Sequence, residues 1–158
     1  MGFIPTGTYV GNANVYSYII FRNSAGSGIG SIASNTALTG TLYTTTSDYR
    51  LKNNVAPISG ALDKISKINP VTYKWIVNDC DGIGFIAHEL QEIAPECVLG
   101  EKDAVDKDGN PIYQSVDATH LVATLVAAIK ELSDKFDNLN SDFDDYKKIN
   151  SSINNKSK

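Results

Sequence analysis

The chain has 158 residues, 42% of them hydrophobic and 20% charged, with a formal net charge of -4 and an isoelectric point near 5.0. That composition suits one ordinary domain, or one small domain with appendages, and its mild acidity speaks against nucleic acid as a partner. No run approaches the eighteen apolar residues of a membrane span, and the apolar cluster 15–21 lacks the basic lead and the cleavage site of a secretory signal.

Residues 1–46 are rich in Gly, Ser, Thr and Asn, with Tyr, Ile and Val interleaved. Tyr16, Tyr18, Ile20 and Arg22 alternate with Val15, Ser17, Ile19 and Phe21. Ile29 and Ile32 follow among glycines, then Leu38 and Leu42 among threonines. These spacings predict short β segments punctuated by glycine. A segment so short and so uncharged has little core of its own. It reads as the end of a longer β structure, or as one that pairs with copies of itself.

At Ser47 the composition changes. Arg22 is the single charged residue before it, and the other 31 of 32 lie from Asp48 onward. Ile58, Leu62, Ile65 and Ile68 recur at helical spacing, stopped by Asn69-Pro70. Residues 71–76 alternate as a strand, in which Tyr73 and Trp75 are expected in the core. Asp81-Gly82 predicts a turn into a second strand over 83–87. Residues 88–94 predict a short helix ended by Pro95, with 98 onward extended. Asp108-Gly109 between Val105 and Ile112 predicts a hairpin. Within 106–110 the glycine falls at the fourth place, not the sixth that a calcium loop requires. The two cysteines, Cys80 and Cys97, fit neither a disulfide framework nor a metal spacing and are expected to stay reduced; no metal or other cofactor is expected.

The clearest period is C-terminal. Ala118, Val122, Leu125, Ile129, Leu132, Phe136, Leu139, Phe143 and Tyr146 follow at alternating steps of 4 and 3, a heptad seam of about four heptads. This predicts a helix over 117–150, with Asp117 as N-cap and a frayed tail over 151–158. His120 reads as an exposed neighbour of that cap. So narrow an apolar stripe leaves a lone helix poorly stabilised, so the seam from Val122 to Phe143 predicts self-association and leaves the number of copies open. The fold class expected is α+β: a β-rich stem end over 1–46, a small α+β body over 47–116 and a long oligomerising helix.

The composition boundary carries a hexapeptide, SDYRLK (47–52), with a hydroxyl nucleophile and a lysine five residues apart. A serine needs a base to remove its proton, and a lysine can serve if burial keeps it neutral. Tyr49 and Leu51 could help supply that apolar setting. The carbonyl nearest to the Ser47 hydroxyl belongs to Thr46, so attack there would cut the chain between Thr46 and Ser47. The spacing is common by chance, however, and by itself favours reading SDYRLK as a turn followed by a solvated strand. His88 and Glu89 are weaker accessory candidates that also read as the polar start of a helix. Their HEL string is no zinc motif, because no second His follows four residues on. Asp48 could accept a hydrogen bond or cap a turn, and Asn53 and Asn54 could assist an oxyanion, as could backbone amides.

Four strings in order, SDYRLK, GALDKISKINPVTYKW (60–75), GFIAHELQEIAPE (84–96) and HLVATLVAAIKEL (120–132), resemble the intramolecular chaperone auto-processing domain at the C-terminus of bacteriophage tail spikes and tail fibres. The lead-in GSGIGSIASNTALTGTLYTTT (26–46) is similar to the stem that precedes this domain. The resemblance implies a homotrimer that registers the stem of its own chains and then cuts itself off. Ser47 would be the nucleophile, Lys52 the general base and Thr46–Ser47 the scissile bond. The long C-terminal helix would form the coiled-coil-like bundle of the homotrimer, the stem would reside in the virion tail, and the chaperone part would be released in the host cytoplasm. No small-molecule ligand is implied. Stems of this family are usually far longer than 46 residues, so the chain reads as an excised fragment or a short gene product. The alternative is a trimeric tip or adhesion module that stays attached.

Overall fold

The computed structural model describes residues 8–9, 16–35, 37 and 39–156. Leu38 and Val15, both expected in β segments, lie outside them. The chain divides into two compact units, Met1–Ala56 and Pro57–Lys158. Composition changes at Ser47, but the structural division comes ten residues later, so SDYRLK belongs to the first unit.

That unit is an antiparallel meander of four strands in sequence order, β1 (Thr8–Tyr9), β2 (Tyr16–Arg22), β3 (Gly28–Ser34) and β4 (Thr41–Thr45). The β2–β3 turn is built by Asn23, whose side-chain oxygen accepts from the Ala25 and Ser27 amides at 3.1 and 2.9 Å. Asn35 holds the β3–β4 connection in the same way, accepting from the Thr39 amide at 2.9 Å. Register puts Ile19, Ile32 and Tyr43 in one row across the sheet. Ile19 and Tyr43 are exposed, and Ala33 and Ser34 are the buried residues among those described in this unit. The sheet is paired along its backbone yet has nearly no core.

In the second unit, α1 (Ala61–Ser66) packs along α3 (Leu121–Lys156). Gly60, at φ 68°, turns the chain into α1, which has no side-chain cap of its own. Glu131 on α3 supplies one from 70 residues away: its two carboxylate oxygens accept from the Ala61 and Leu62 amides at 3.0 and 2.9 Å. The expected helix over 58–68 is thus one short turn-and-a-half, flanked by Ile58 and Ile68. Next come β5 (Val71–Lys74) and β6 (Asp81–Gly84), paired antiparallel, then α2 (Ala87–Ile93). A two-residue ladder joins β7 (Val98–Leu99) to β8 (Ser115–Val116). The core gathers Leu90, Ala94, Cys97, Val98 and Leu121, with Ile68, Phe85 and Ala87 against it.

Several expectations need correction. Asp81-Gly82 is not a turn but the start of β6. The turn spans 75–80, closed by Trp75 N–H to Cys80 O at 2.9 Å and Asp79 N–H to Trp75 O at 2.7 Å, with Asp79 itself left-handed at φ 56°. Gly82 serves packing instead: a Cβ there would stand 2.5 Å from the Tyr73 ring opposite. Tyr73 is half-buried, but Trp75 lies past the strand end and is 54% exposed, edge-on to Tyr73 at 5.2 Å. The strand expected over 83–87 ends at Gly84, because Ala87 already begins α2. Asp108-Gly109 does form a turn, bridged by Val105 and Pro111 and organised by Asp106, whose Oδ1 accepts from the Asp108 and Asn110 amides.

The long helix begins with a 3-10 turn, Ala118–His120, capped by Asp117, which accepts from the Thr119 amide at 3.0 Å and hydroxyl at 2.6 Å. It runs to Lys156, so the expected frayed tail over 151–158 is helical through that residue; Ser157 and Lys158 lie outside the described residues. The hydroxyls of Ser151 and Ser152 donate to the Lys147 and Lys148 carbonyls one turn back, and ion pairs Asp144–Lys147 and Asp145–Lys148 brace the preceding turn. At about 1.5 Å per residue α3 is roughly 54 Å long. Two stripes divide it. Leu121, Thr124 and Ala128 are buried in the unit and Glu131 caps α1, whereas Val122, Leu125, Ile129, Leu132, Phe136, Leu139 and Phe143 are all exposed, from 42% to 65%.

The Glu131 clasp has a pH signature. Hydrogen bonds from the Leu62 and Ala61 amides hold its carboxyl below the usual glutamate range. A carboxylate lowered in the folded state stabilises fully above its unfolded value and loses that contribution as pH falls through the folded value. Glu131→Ala should therefore lower the melting temperature at neutral pH, with the gap from the parent closing as pH falls into the acid range. A gap that stays constant with pH would count against the clasp.

Candidate functional site

Thr46 and Ser47 follow β4 directly. Thr46 prolongs the β4 register on β3: its amide donates to Ile29 O at 3.0 Å and its hydroxyl to Gly28 O at 3.2 Å. The chain then tightens into a 3-10 turn, Tyr49–Leu51. Asp48 is its cap, with Oδ1 accepting from the Arg50 amide at 2.9 Å. The Arg50 guanidinium forks back onto the same carboxylate, Nε to Oδ1 at 2.9 Å and Nη2 to Oδ2 at 2.8 Å. The turn closes through Leu51 N–H to Asp48 O and Lys52 N–H to Tyr49 O, both 3.1 Å.

This turn brings the two candidate reactive groups together. Five fully extended residues would carry the Cα atoms of Ser47 and Lys52 about 16 Å apart, farther than a lysine side chain reaches. With the turn between them, Lys52 Nζ donates to Ser47 Oγ at 2.6 Å. A hydroxyl in contact with a neutral amine, directly after a residue whose amide and hydroxyl are tethered to a strand, can be deprotonated and can attack that residue's carbonyl carbon.

Both side chains are solvent-exposed in the single chain. Tyr49 and Leu51, expected to help bury the lysine, are 82% and 72% exposed. The turn displays them instead of folding them over Lys52. Asn53 and Asn54 are exposed, Asn54 in a left-handed conformation at φ 50°. His88 and Glu89 belong to the second unit, in the first turn of α2. His88 is half-buried and lines a shallow groove with Glu101, Tyr113 and Gln114, while Glu89 is exposed. His120 lies 3.7 Å from the capping Asp117. Among the described residues no group of His, Cys, Asp and Glu could hold a metal ion, and no helix is long and apolar enough to cross a membrane. Cys80 is an exposed free thiol, and Cys97 is a buried one whose pKa burial pushes up. Arg50 was not singled out by sequence. Its signal is the Asp-x-Arg spacing, which lets one side chain neutralise the cap carboxylate two residues earlier.

Residues 47–99 match the chaperone of endosialidase peptidase family. The chain is 38% identical over 100 residues to the long tail fiber protein Gp37 of Enterobacteria phage K3 and, equally, to that of Enterobacteria phage T2. The match covers 60% of this chain but only 8% and 7% of those fibres, so the chain spans under a tenth of their length.

The Arg50 fork, then the Arg50 amide, hold the Asp48 carboxyl below its usual range. The cap is accordingly complete above the ordinary aspartate value of about 3.9 and is lost only as pH falls through the lowered one. An NMR titration of the Arg50 amide should show its inflection below about pH 3.9, and Asp48→Ala should abolish it. An inflection above that value would rule out the pairing.

Proposed function

Starting from residues 47–99 as a tail-fibre chaperone segment of the chaperone of endosialidase family, we propose that the chain registers a tail-fibre stem as a homotrimer and then releases it by cutting Thr46–Ser47. The observation that carries this reading is the 2.6 Å contact of Lys52 Nζ with Ser47 Oγ, immediately after the tethered Thr46.

In the first step neutral Lys52 takes the Ser47 hydroxyl proton and Oγ attacks the Thr46 carbonyl carbon. The C–O bond forms, the C–N bond breaks, and the proton passes from Lys52 to the departing Ser47 nitrogen. The product is an ester of Thr46 on Ser47 Oγ with a free Ser47 amine. Water, deprotonated by Lys52, then adds to the ester. Thr46 leaves as a carboxylate and the Ser47 hydroxyl is restored. One turnover consumes the substrate, so this is a serine peptidase acting on its own chain.

A lysine acts as a base only where burial favours its neutral form. Exposed Tyr49 and Leu51 give a neighbouring copy an apolar surface to cover, which would couple cutting to assembly. The uncovered α3 seam supports self-association, and the number three comes from the family resemblance. A helix docks locally and quickly, whereas a stem wound from several chains has high contact order and slips in register. Joining chain ends first raises their effective concentration, and removing the aid afterwards leaves a kinetically trapped fibre. The stem would reside in the virion tail and the released part in the host cytoplasm.

Denaturing gels test the reading. Wild type should release a fragment whose first residue is Ser47. Ser47→Ala and Lys52→Ala should slow the cut by about 10²-fold or more. Leu132→Asp, on the seam, should leave monomers that do not cut. A wild type that assembles and stays intact would instead mark a trimeric tip or adhesion module, and full cutting by the Leu132→Asp monomer would break the link to assembly.

A further inference from the structure

We infer that Thr46 is the positioning residue of the cut, held by β3 so that the scissile bond is presented only when the stem sheet is closed. The inference rests on the proposed cleavage and adds the residue through which the stem makes itself a condition of it. Thr46 lies beyond the end of β4, yet two bonds tie it to β3: its amide to Ile29 O at 3.0 Å and its hydroxyl to Gly28 O at 3.2 Å. The first locates the nitrogen, and the second restrains Cβ. With N, Cα and Cβ held, tetrahedral geometry leaves the carbonyl carbon one place, and rotation about ψ only turns its oxygen and its two faces. A nucleophile that attacks the neighbouring carbonyl gains rate from that immobility.

Both bonds depend on β4 lying against β3 in the pairing that runs from Ser34↔Thr41 to Gly30↔Thr45. The closest approach is at Gly30, where a Cβ would stand 2.6 Å from the Thr44 carbonyl oxygen. Any side chain there would push β4 off β3 just before the scissile bond. Gly30 and the Thr46 hydroxyl thus transmit one condition, closure of the last stem strand, to a reaction whose acid–base groups lie at Ser47 and Lys52. The hydroxyl also sets a preference for Thr or Ser before the cut, since alkyl and carboxylate side chains have no donor for the Gly28 carbonyl and the longer donors do not place one at Cβ.

Cleavage rates of the full chain, followed on denaturing gels across pH, test this. Thr46→Val keeps the shape and removes the donor, and it should cut about threefold to tenfold more slowly at every pH without moving the midpoint of the profile. Thr46→Ser keeps the donor and should stay within about twofold of wild type. Gly30→Ala should also slow the cut. In the uncut Ser47→Ala chain the Thr46 amide should be protected from hydrogen exchange, and Gly30→Ala should remove that protection. Wild-type rates in Thr46→Val, or an equal loss in Thr46→Ser, would overturn the positioning role while leaving cleavage itself standing. An intact wild type would overturn both, and an unprotected Thr46 amide would overturn the β3 tether by itself.

Discussion

Everything in the second unit is organised around one long helix that has two apolar stripes and covers only one of them. The inner stripe, Leu121, Thr124 and Ala128, is buried, and just beyond it Glu131 caps α1 across 70 residues of sequence. Small residues at Thr124 and Ala128 keep that stripe flat, and the carboxylate satisfies amides that a helix as short as α1 could not satisfy itself. The outer stripe, from Val122 to Phe143, meets water along most of the helix. A seam of that length and regularity has the heptad spacing that coiled coils use, and it is the surface on which the proposed self-association rests.

The first unit shows the complementary deficiency. Its four strands pair in sequence order, with register shifts along β2–β3, but enclose almost nothing, so the sheet has register without a core. Such a sheet is specified by turns, here the side-chain carbonyls of Asn23 and Asn35, and by pairing with further chain. The hexapeptide that follows β4 is rigidified by charge at short range: Arg50 folds onto Asp48, the cap tightens the turn, and the turn delivers Lys52 to Ser47. None of these contacts requires burial: Lys52 and Ser47 meet while both are exposed.

The seam, the strand texture and the seat of SDYRLK on a composition boundary were legible in the order of residues. So were Asp117 as a cap and the Asp108-Gly109 turn, because each depends on neighbours within one or two turns of chain. Asp81-Gly82 misled: dipeptide chemistry favoured a turn, but the Tyr73 ring needed the space over Gly82, a demand that arises only once β5 and β6 are paired. The persistence of α3 through Lys156 was missed because polar residues look like fraying, whereas each serine hydroxyl found a carbonyl one turn back.

What the sequence by itself determined is periodic and local: where strands and helices lie, which stripe of the last helix is apolar over about four heptads, and that a serine and a lysine stand five residues apart. What only the tertiary structure decided is long-range: that Glu131 caps α1, that Thr46 is tied to β3, and that the unit boundary falls after Ala56. The division follows from range. Hydrophobic period and turn chemistry act between residues a few positions apart and are written in their order. A carboxylate that satisfies amides 70 residues away, or a hydroxyl that reaches a strand 18 residues back, depends on closure of the chain in space, which no local pattern records.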